Sequence, residues 1–403
     1  MTFNPDDAVI VATGRSPIGR ARKGSLVEMR PDDLLAQVTE AVINKVPAAA
    51  ERGFEDFLVG CAEPHDEQGF NIARNVAVLL GRDDLPGATI NRFCASSLQA
   101  LRNAFHGIRS GEGDAYLIGG VETVSRFRPQ HEGTENPKYA DAKERVSQKL
   151  AAGQWRDPRD EGHLPDIYIP MGHTAEFVAQ HTNTSREAQD RYAARSQQRA
   201  VAAQQAGFME REIIPITTPS GETVTVDDGP RPNTTVETLA ELQPVFTENG
   251  TVTAGNACPL NDGAAAAVVM SGRRAKELGL QPLARILSSA VTALSPEIMG
   301  LGPVEASRVA LKRAGLTAAD LDAVELNEAF AAQVVPTIEQ LGLDEDIVNP
   351  HGGAIALGHP FGATGIRMIG TLINDLQTLD GTYGLSTLCV GGGQGMGMVI
   401  ERL

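Results

Sequence analysis

Apolar positions along this chain recur with two different periods. Residues 9–12 are an unbroken apolar run closed by Gly14, which predicts a buried strand. Between residues 32 and 43, Leu34, Leu35, Val38 and Val42 recur at helical spacing and predict an amphipathic helix. Residues 56–60 predict a second strand. The segment Asn91-Arg92-Phe93-Cys94-Ala95-Ser96-Ser97 is rich in small residues and opens a helical pattern. Leu98, Leu101, Phe105 and Ile108 form one face of that helix, and Gly111 stops it. A further strand over residues 115–120 ends in a glycine pair.

The last third of the chain repeats this order. A helix starting near Pro303 precedes a strand over residues 321–326. His359-Pro360-Phe361-Gly362-Ala363-Thr364-Gly365 is again a small-residue turn opening a helix, with Ile366, Ile369, Leu372, Ile373 and Leu376 apolar. Residues 383–390 are a strand running into Gly391-Gly392-Gly393. Turn, helix, strand and glycines thus occur twice, which predicts an internal duplication of an α/β unit. Residues 127–244 break the pattern, with frequent Pro and charge, as in Arg156-Asp157-Pro158-Arg159-Asp160-Glu161. One strong helix is expected there, over residues 185–205 with Ser185 as N-cap. A region this long reads as a lid or substrate-binding insertion. The expected division is residues 1–126, completed by about 245–272, then the insertion 127–244, then residues 273–403.

Composition narrows the function classes. With 42% hydrophobic and 21% charged residues, a packed globular protein is expected. The net charge of −16 argues against nucleic acid or an anionic membrane as partner. The chain start, Met1-Thr2-Phe3-Asn4-Pro5, has neither a basic nor an apolar leader region. The longest apolar stretch, residues 264–270, is too short to span a bilayer. Cys61, Cys94, Cys258 and Cys389 lie far apart without a CxxC pair. This points away from a disulfide framework or a metal site and toward a cytoplasmic location.

Four residues could carry chemistry. Cys94 precedes a helix, where free N–H groups and the helix dipole would favour a thiolate; a packed structural cysteine is the other reading. His359, in a Gly- and Pro-containing turn, could take a proton from a thiol, or be a loop histidine satisfied by backbone. Cys389, between an apolar strand and three glycines, could do acid–base work, or be a core cysteine. Asn327, in Asn327-Glu328-Ala329-Phe330, could orient a water or His359, or cap the helix that follows. The glycines of residues 352–358 lack both GxGxxG spacing and a Walker lysine, so no nucleotide loop is expected there.

Taken together, six segments in order resemble the thiolases: Asn91 to Ala100 around Cys94, Met171-Gly172-His173-Thr174-Ala175-Glu176, Gly255 to Ala266, Asn327-Glu328-Ala329-Phe330, Gly352 to Gly362, and Cys389-Val390-Gly391-Gly392-Gly393-Gln394-Gly395. The resemblance implies a duplicated five-layered α/β/α/β/α fold with an inserted loop domain, assembled as a homodimer or homotetramer. It implies an acyltransferase of fatty acid β-oxidation type, with acyl-CoA and coenzyme A as substrates and no tightly bound cofactor. Cys94 would be the acylated nucleophile, His359 the base, and Cys389 the acid–base at carbon. Asn327 with His359 would serve one oxyanion hole, and the N–H groups of Cys94 and Gly391 the other. Arg231 matches a position that meets nucleotide phosphates. Cys258 stands where a coenzyme A-contacting serine is common, Ser97 where glycine is frequent and would narrow the pocket, and His351 where asparagine is frequent. The alternatives are a ketoacyl-synthase-like condensing enzyme, which needs no second cysteine, and a non-catalytic lipid carrier of the same fold.

Overall fold

The computed structural model describes residues 3–127 and 135–403. Met1 and Thr2 of the chain start, and residues 128–134 of the insertion, lie outside the described residues. The apolar runs form the strands of a mixed sheet, and the same strand order appears twice. In the first half the order across the sheet is Ala8–Arg15, Asn261–Ser271, Ala115–Thr123, Asp56–Gly60, Gly87–Ile90. In the second half it is Ala284–Ala293, Gln394–Arg402, Tyr383–Val390, Ala323–Leu326. Val348 bridges Val324 in parallel where a fifth strand would lie. In both halves the first two pairings are antiparallel and the next is parallel. The two first strands join through Val9 against Arg285 and Ile10 against Ala284, making one continuous sheet.

Side chains alternate across each strand, so each half-sheet has two buried faces. Val9 and Val11 face outward onto Leu34, Leu35, Val38 and Val42 of the helix Pro31–Asn44. Ala8 and Ile10 face inward onto Leu98 and Leu101 of Ser96–Ser110 and onto Ile366 and Ile369 of Phe361–Thr378. The second half places Leu385 and Val399 on the opposite outer side, against Leu311 of Gly302–Ala314 and Val334 and Ile338 of Ala331–Leu341. Outer helices, half-sheet, paired central helices, half-sheet and outer helices are the five layers. The central pair carries both reactive turns at its N-terminal ends. It packs closely because Gly365 has no side chain: a Cβ there would sit 2.4 Å from the Leu98 nitrogen.

Most predicted elements lie within two or three residues of the observed ones. Ser185 caps Arg186–Gln205 by accepting from the Ala188 N–H at 3.2 Å. Asn327 differs, because it caps no helix. The helix after it begins at Ala331, with Phe330 at the N-cap position and no side-chain cap. No helix among the described residues is long and apolar enough to cross a membrane.

Candidate active site

Cys94 sits in the short turn Phe93–Ala95 that leads into Ser96–Ser110. Phe93 has a φ of +43°, a conformation costly for a side chain of this size. Local hydrogen bonds hold it there. Asn91 accepts from the Phe93 N–H at 2.8 Å, and Ser96 Oγ accepts from Arg92 N–H at 2.9 Å and donates to the Phe93 carbonyl at 2.6 Å. Arg92 then donates to Gln394 Oε1 at 2.6 Å, and Gln394 donates to the Gly391 carbonyl at 3.2 Å, which ties this turn to the glycine loop. The Gly391 N–H in turn meets the Cys94 sulfur and favours its thiolate. Burial outweighs that contribution and pushes the Cys94 thiol up to about 12. A helix start alone predicts a thiolate; the folded site holds a neutral thiol.

His359 is not a solvated loop residue. It is 1% exposed, and its N–H donates to Asn261 at 3.0 Å. Its Nδ1 lies 2.7 Å from Thr364 Oγ1, and that hydroxyl spends its one proton on the Pro360 carbonyl at 2.9 Å. Thr364 must therefore accept from His359, so the ring carries its proton on Nδ1 and keeps a lone pair on Nε2. Asn327 Nδ2 approaches that Nε2 at 3.3 Å. Burial, with the nearby Arg367 guanidinium, pulls His359 down to about 3 and keeps the imidazole neutral. Asn327 is itself buried, with Oδ1 lacking a hydrogen-bond partner among the described residues.

Cys389 is the last residue but one of Tyr383–Val390 and is 1% exposed. It packs with Met299, Phe330, Ala332 and the partly buried Cys258. Burial, followed by the proximity of Cys94 and Cys258, holds its thiol well above the ordinary range. Cys258 is raised by burial, then by Cys94 and Glu328. Three of the four cysteines thus converge. The fourth, Cys61, is buried with its sulfur 3.8 Å from Glu122. The helix that follows His359 packs against the turn holding Cys94. Neutral thiols at Cys94 and Cys389 and an imidazole with unprotonated Nε2 are the groups that nucleophilic attack at one carbon and proton exchange at another require.

The model of the thiolase N-terminal domain matches residues 8–273, and that of the C-terminal domain matches residues 280–402. The chain belongs to the thiolase family. It is 44% identical to the 3-ketoacyl-CoA thiolase of Cronobacter sakazakii, over 99% of this chain and 100% of that relative. Among solved structures, the dimeric peroxisomal thiolase of Saccharomyces cerevisiae matches with a TM-score of 0.89 at 34% identity, covering 100% of this chain and 99% of the yeast one. Human mitochondrial 3-ketoacyl-CoA thiolase in complex with CoA matches at 0.85 and 35%, covering 98% of each chain. As a thiolase this chain is an acyltransferase. The similarities support that reading and neither the ketoacyl-synthase-like nor the lipid-carrier alternative.

Around this thiolase site, other residues fall in places the sequence did not reveal. Arg231 lines a pocket with Arg20, Gln197 and Gly229, next to Ala257 and Pro259 on either side of Cys258. Burial, then Arg20, pulls its pKa down. Ser97 is buried on the helix that follows Cys94. Its Oγ accepts from Ile366 N–H at 3.1 Å and joins the two central helices. His351 bonds Asp375 at 2.6 Å and stacks on Phe208. Glu122 is fully buried and accepts from Ala62 N–H, Gln68 and Gly362 N–H at 2.6–2.9 Å, which pins the start of the helix after His359 to the first half. Glu328 accepts from Tyr192, Ser196, Asn349 and Ile355 N–H and so fixes the Asn327 loop. Glu122 lies near the end of an apolar strand, and Glu328 stands two residues beyond one. Those positions are the one signal in the sequence that could have marked them as buried.

Proposed function

We propose that this enzyme cleaves 3-oxoacyl-CoA thioesters by thiolysis, and runs the reverse Claisen condensation, through an acyl group on Cys94. The observation that carries this reading is the His359 ring, neutral and with Nε2 unprotonated, at the start of the helix that packs against the Cys94 turn. Cys94 attacks the 3-keto carbon as His359 Nε2 takes its proton. The C2–C3 bond breaks, its electron pair leaves as the acetyl-CoA enolate, and Cys389 protonates that carbon. The proton on His359 returns to Cys389. His359 then takes the proton of coenzyme A, whose sulfur attacks the acyl carbonyl, and Cys94 leaves and regains its proton. Asn327 and His359 serve one oxyanion, and the N–H groups of Cys94 and Gly391 serve the other, each donor contributing about 3 kcal/mol. The test is turnover of 3-oxoacyl-CoA and coenzyme A across chain lengths, read as acetyl-CoA release. Absence of cleavage at every length by folded protein rejects the reading.

Coenzyme A enters as a substrate, and no tightly bound cofactor is needed. Its phosphates would meet Arg231 and Arg20, which form no ion pair among the described residues, with Cys258 beside the pantetheine arm. Arg231→Ala is expected to raise KM for coenzyme A roughly 10-fold or more, the scale of a lost charge-assisted hydrogen bond. The increase should be smaller with a coenzyme A analogue lacking one phosphate, and kcat should change little. An unchanged KM excludes Arg231 from the phosphate site. The division into residues 1–126 with 245–272, 127–244 and 273–403, assembly as a homodimer or homotetramer, and a cytoplasmic location complete the reading.

A further inference from the structure

The two nitrogens of His359 are held from two different elements. Thr364, on the helix Phe361–Thr378, takes Nδ1–H, and Asn327, just beyond the strand Ala323–Leu326, meets Nε2. A second link joins the same two elements. Glu325, two residues before Asn327, pairs with Arg367, three residues after Thr364 and so one helical turn away. The Glu325 Oε2 to Arg367 Nη1 distance is 2.8 Å, and the side chains are 1% and 2% exposed.

Stability alone explains this pair poorly. Two charges removed from water are commonly no better than an apolar pair of similar volume. The desolvation is also incompletely offset, because Glu325 Oε1 and Arg367 Nε have no hydrogen-bond partner among the described residues, nor do the buried Asp375 Oδ2 and Ser386 Oγ. The negative groups bearing on Glu325 are Asp375, Glu328 and Glu212. Such a pair does supply a fixed distance and direction between helix and strand.

We propose that the Glu325–Arg367 ion pair is a positioning unit for His359: it locks the helix carrying Thr364 against the strand delivering Asn327, so that the imidazole keeps its proton on Nδ1 and its Nε2 unprotonated and fixed in direction. The inference rests on the reading of His359 as the base. Arg367 also lies close enough to His359 to disfavour its protonation. A drift of the helix relative to the strand would rotate the ring or exchange its tautomer, and either change removes the lone pair from the reacting thiol.

The test uses the full-length Glu325→Met/Arg367→Met double variant, which substitutes apolar side chains of similar length, beside Arg367→Lys. The double variant is expected to lose about 10- to 100-fold in kcat for thiolysis, the scale of a misplaced catalytic group. KM for coenzyme A should stay close to the parent value. In 15N-histidine spectra, the Nδ1–H signal of His359, identified by its absence in His359→Gln, should shift or broaden. Arg367→Lys keeps the charge pair and should recover most of both. If the double variant does not fold, the isosteric Glu325→Gln is read in the same two assays. A folded variant with the parent's kcat and the parent's His359 signal overturns the proposal, as does a loss that only tracks the unfolded fraction. If His359→Gln acylates Cys94 at the parent rate, the base assignment fails instead. An inactive His359→Gln beside a normal double variant defeats only the positioning role.

Discussion

A Cys94→Ala variant is expected to lose about 10⁴-fold or more in kcat for thiolysis, the scale reached when a covalent nucleophile is deleted. No other thiol is placed to substitute for it. Cys61 is buried against Glu122, and Cys389 is enclosed at the end of its strand. Cys258 is a neighbour, but the Gly391 N–H is aimed at Cys94. The parent incubated with acetyl-CoA should carry an acetyl group on the peptide containing Cys94, and the variant should carry none. Labelling confined to Cys61 or Cys258 would remove Cys94 from the mechanism. Fold should survive, because the substitution deletes one sulfur from a partly exposed position.

Cys389→Ala should separate the two halves of the reaction. Cys389 is cast as a proton carrier rather than a nucleophile, so transfer of an acetyl group from acetyl-CoA onto Cys94 should persist. Deuterium exchange at the acetyl-CoA methyl group in D₂O needs an enolate and an acid–base group but no net condensation. That exchange should fall about 10²- to 10⁴-fold, the usual contribution of a positioned acid–base group. A thiol held well above its ordinary range suits this task, since it stays protonated until a carbanion of comparable basicity faces it. If Cys389 only fills space between Met299, Phe330 and Ala332, its removal costs around a kilocalorie per mole of stability and leaves exchange per folded molecule intact. A folded variant with full exchange activity refutes the two-thiol mechanism.

Much of this enzyme is legible before folding. The two hydrophobic periods place the strands and helices, because each buries a face set by backbone geometry alone. The repeated order of turn, helix, strand and glycines foreshadows the duplicated half-sheets. Cys94, His359, Asn327 and Cys389 each stand at the end of an apolar element, where the chain must turn and a side chain can reach a cleft. Their local readings nevertheless misled in places. Asn327 has the sequence signature of a helix cap, yet its amide serves His359. Cys94 has the signature of a dipole-stabilised thiolate, yet desolvation dominates and the thiol is neutral. His359 has the signature of a loop residue, yet it is enclosed.

What the sequence could not supply are relations between distant residues. Thr364 selects the tautomer of His359 only because the turn brings its hydroxyl within 2.7 Å. Glu122 reaches Gly362 only after the two halves meet at the paired central helices, and Glu325 reaches Arg367 only once the central helix packs on the strand of its own half. Arg20 and Arg231 come to share one pocket although 211 positions separate them in the chain. Local periodicity reports which face of an element is buried; it carries no information about what lies across the interface. The protonation of the reactive groups depends on that missing partner, since the charge a side chain can hold is set by the solvent it loses and the dipoles it gains when the layers close.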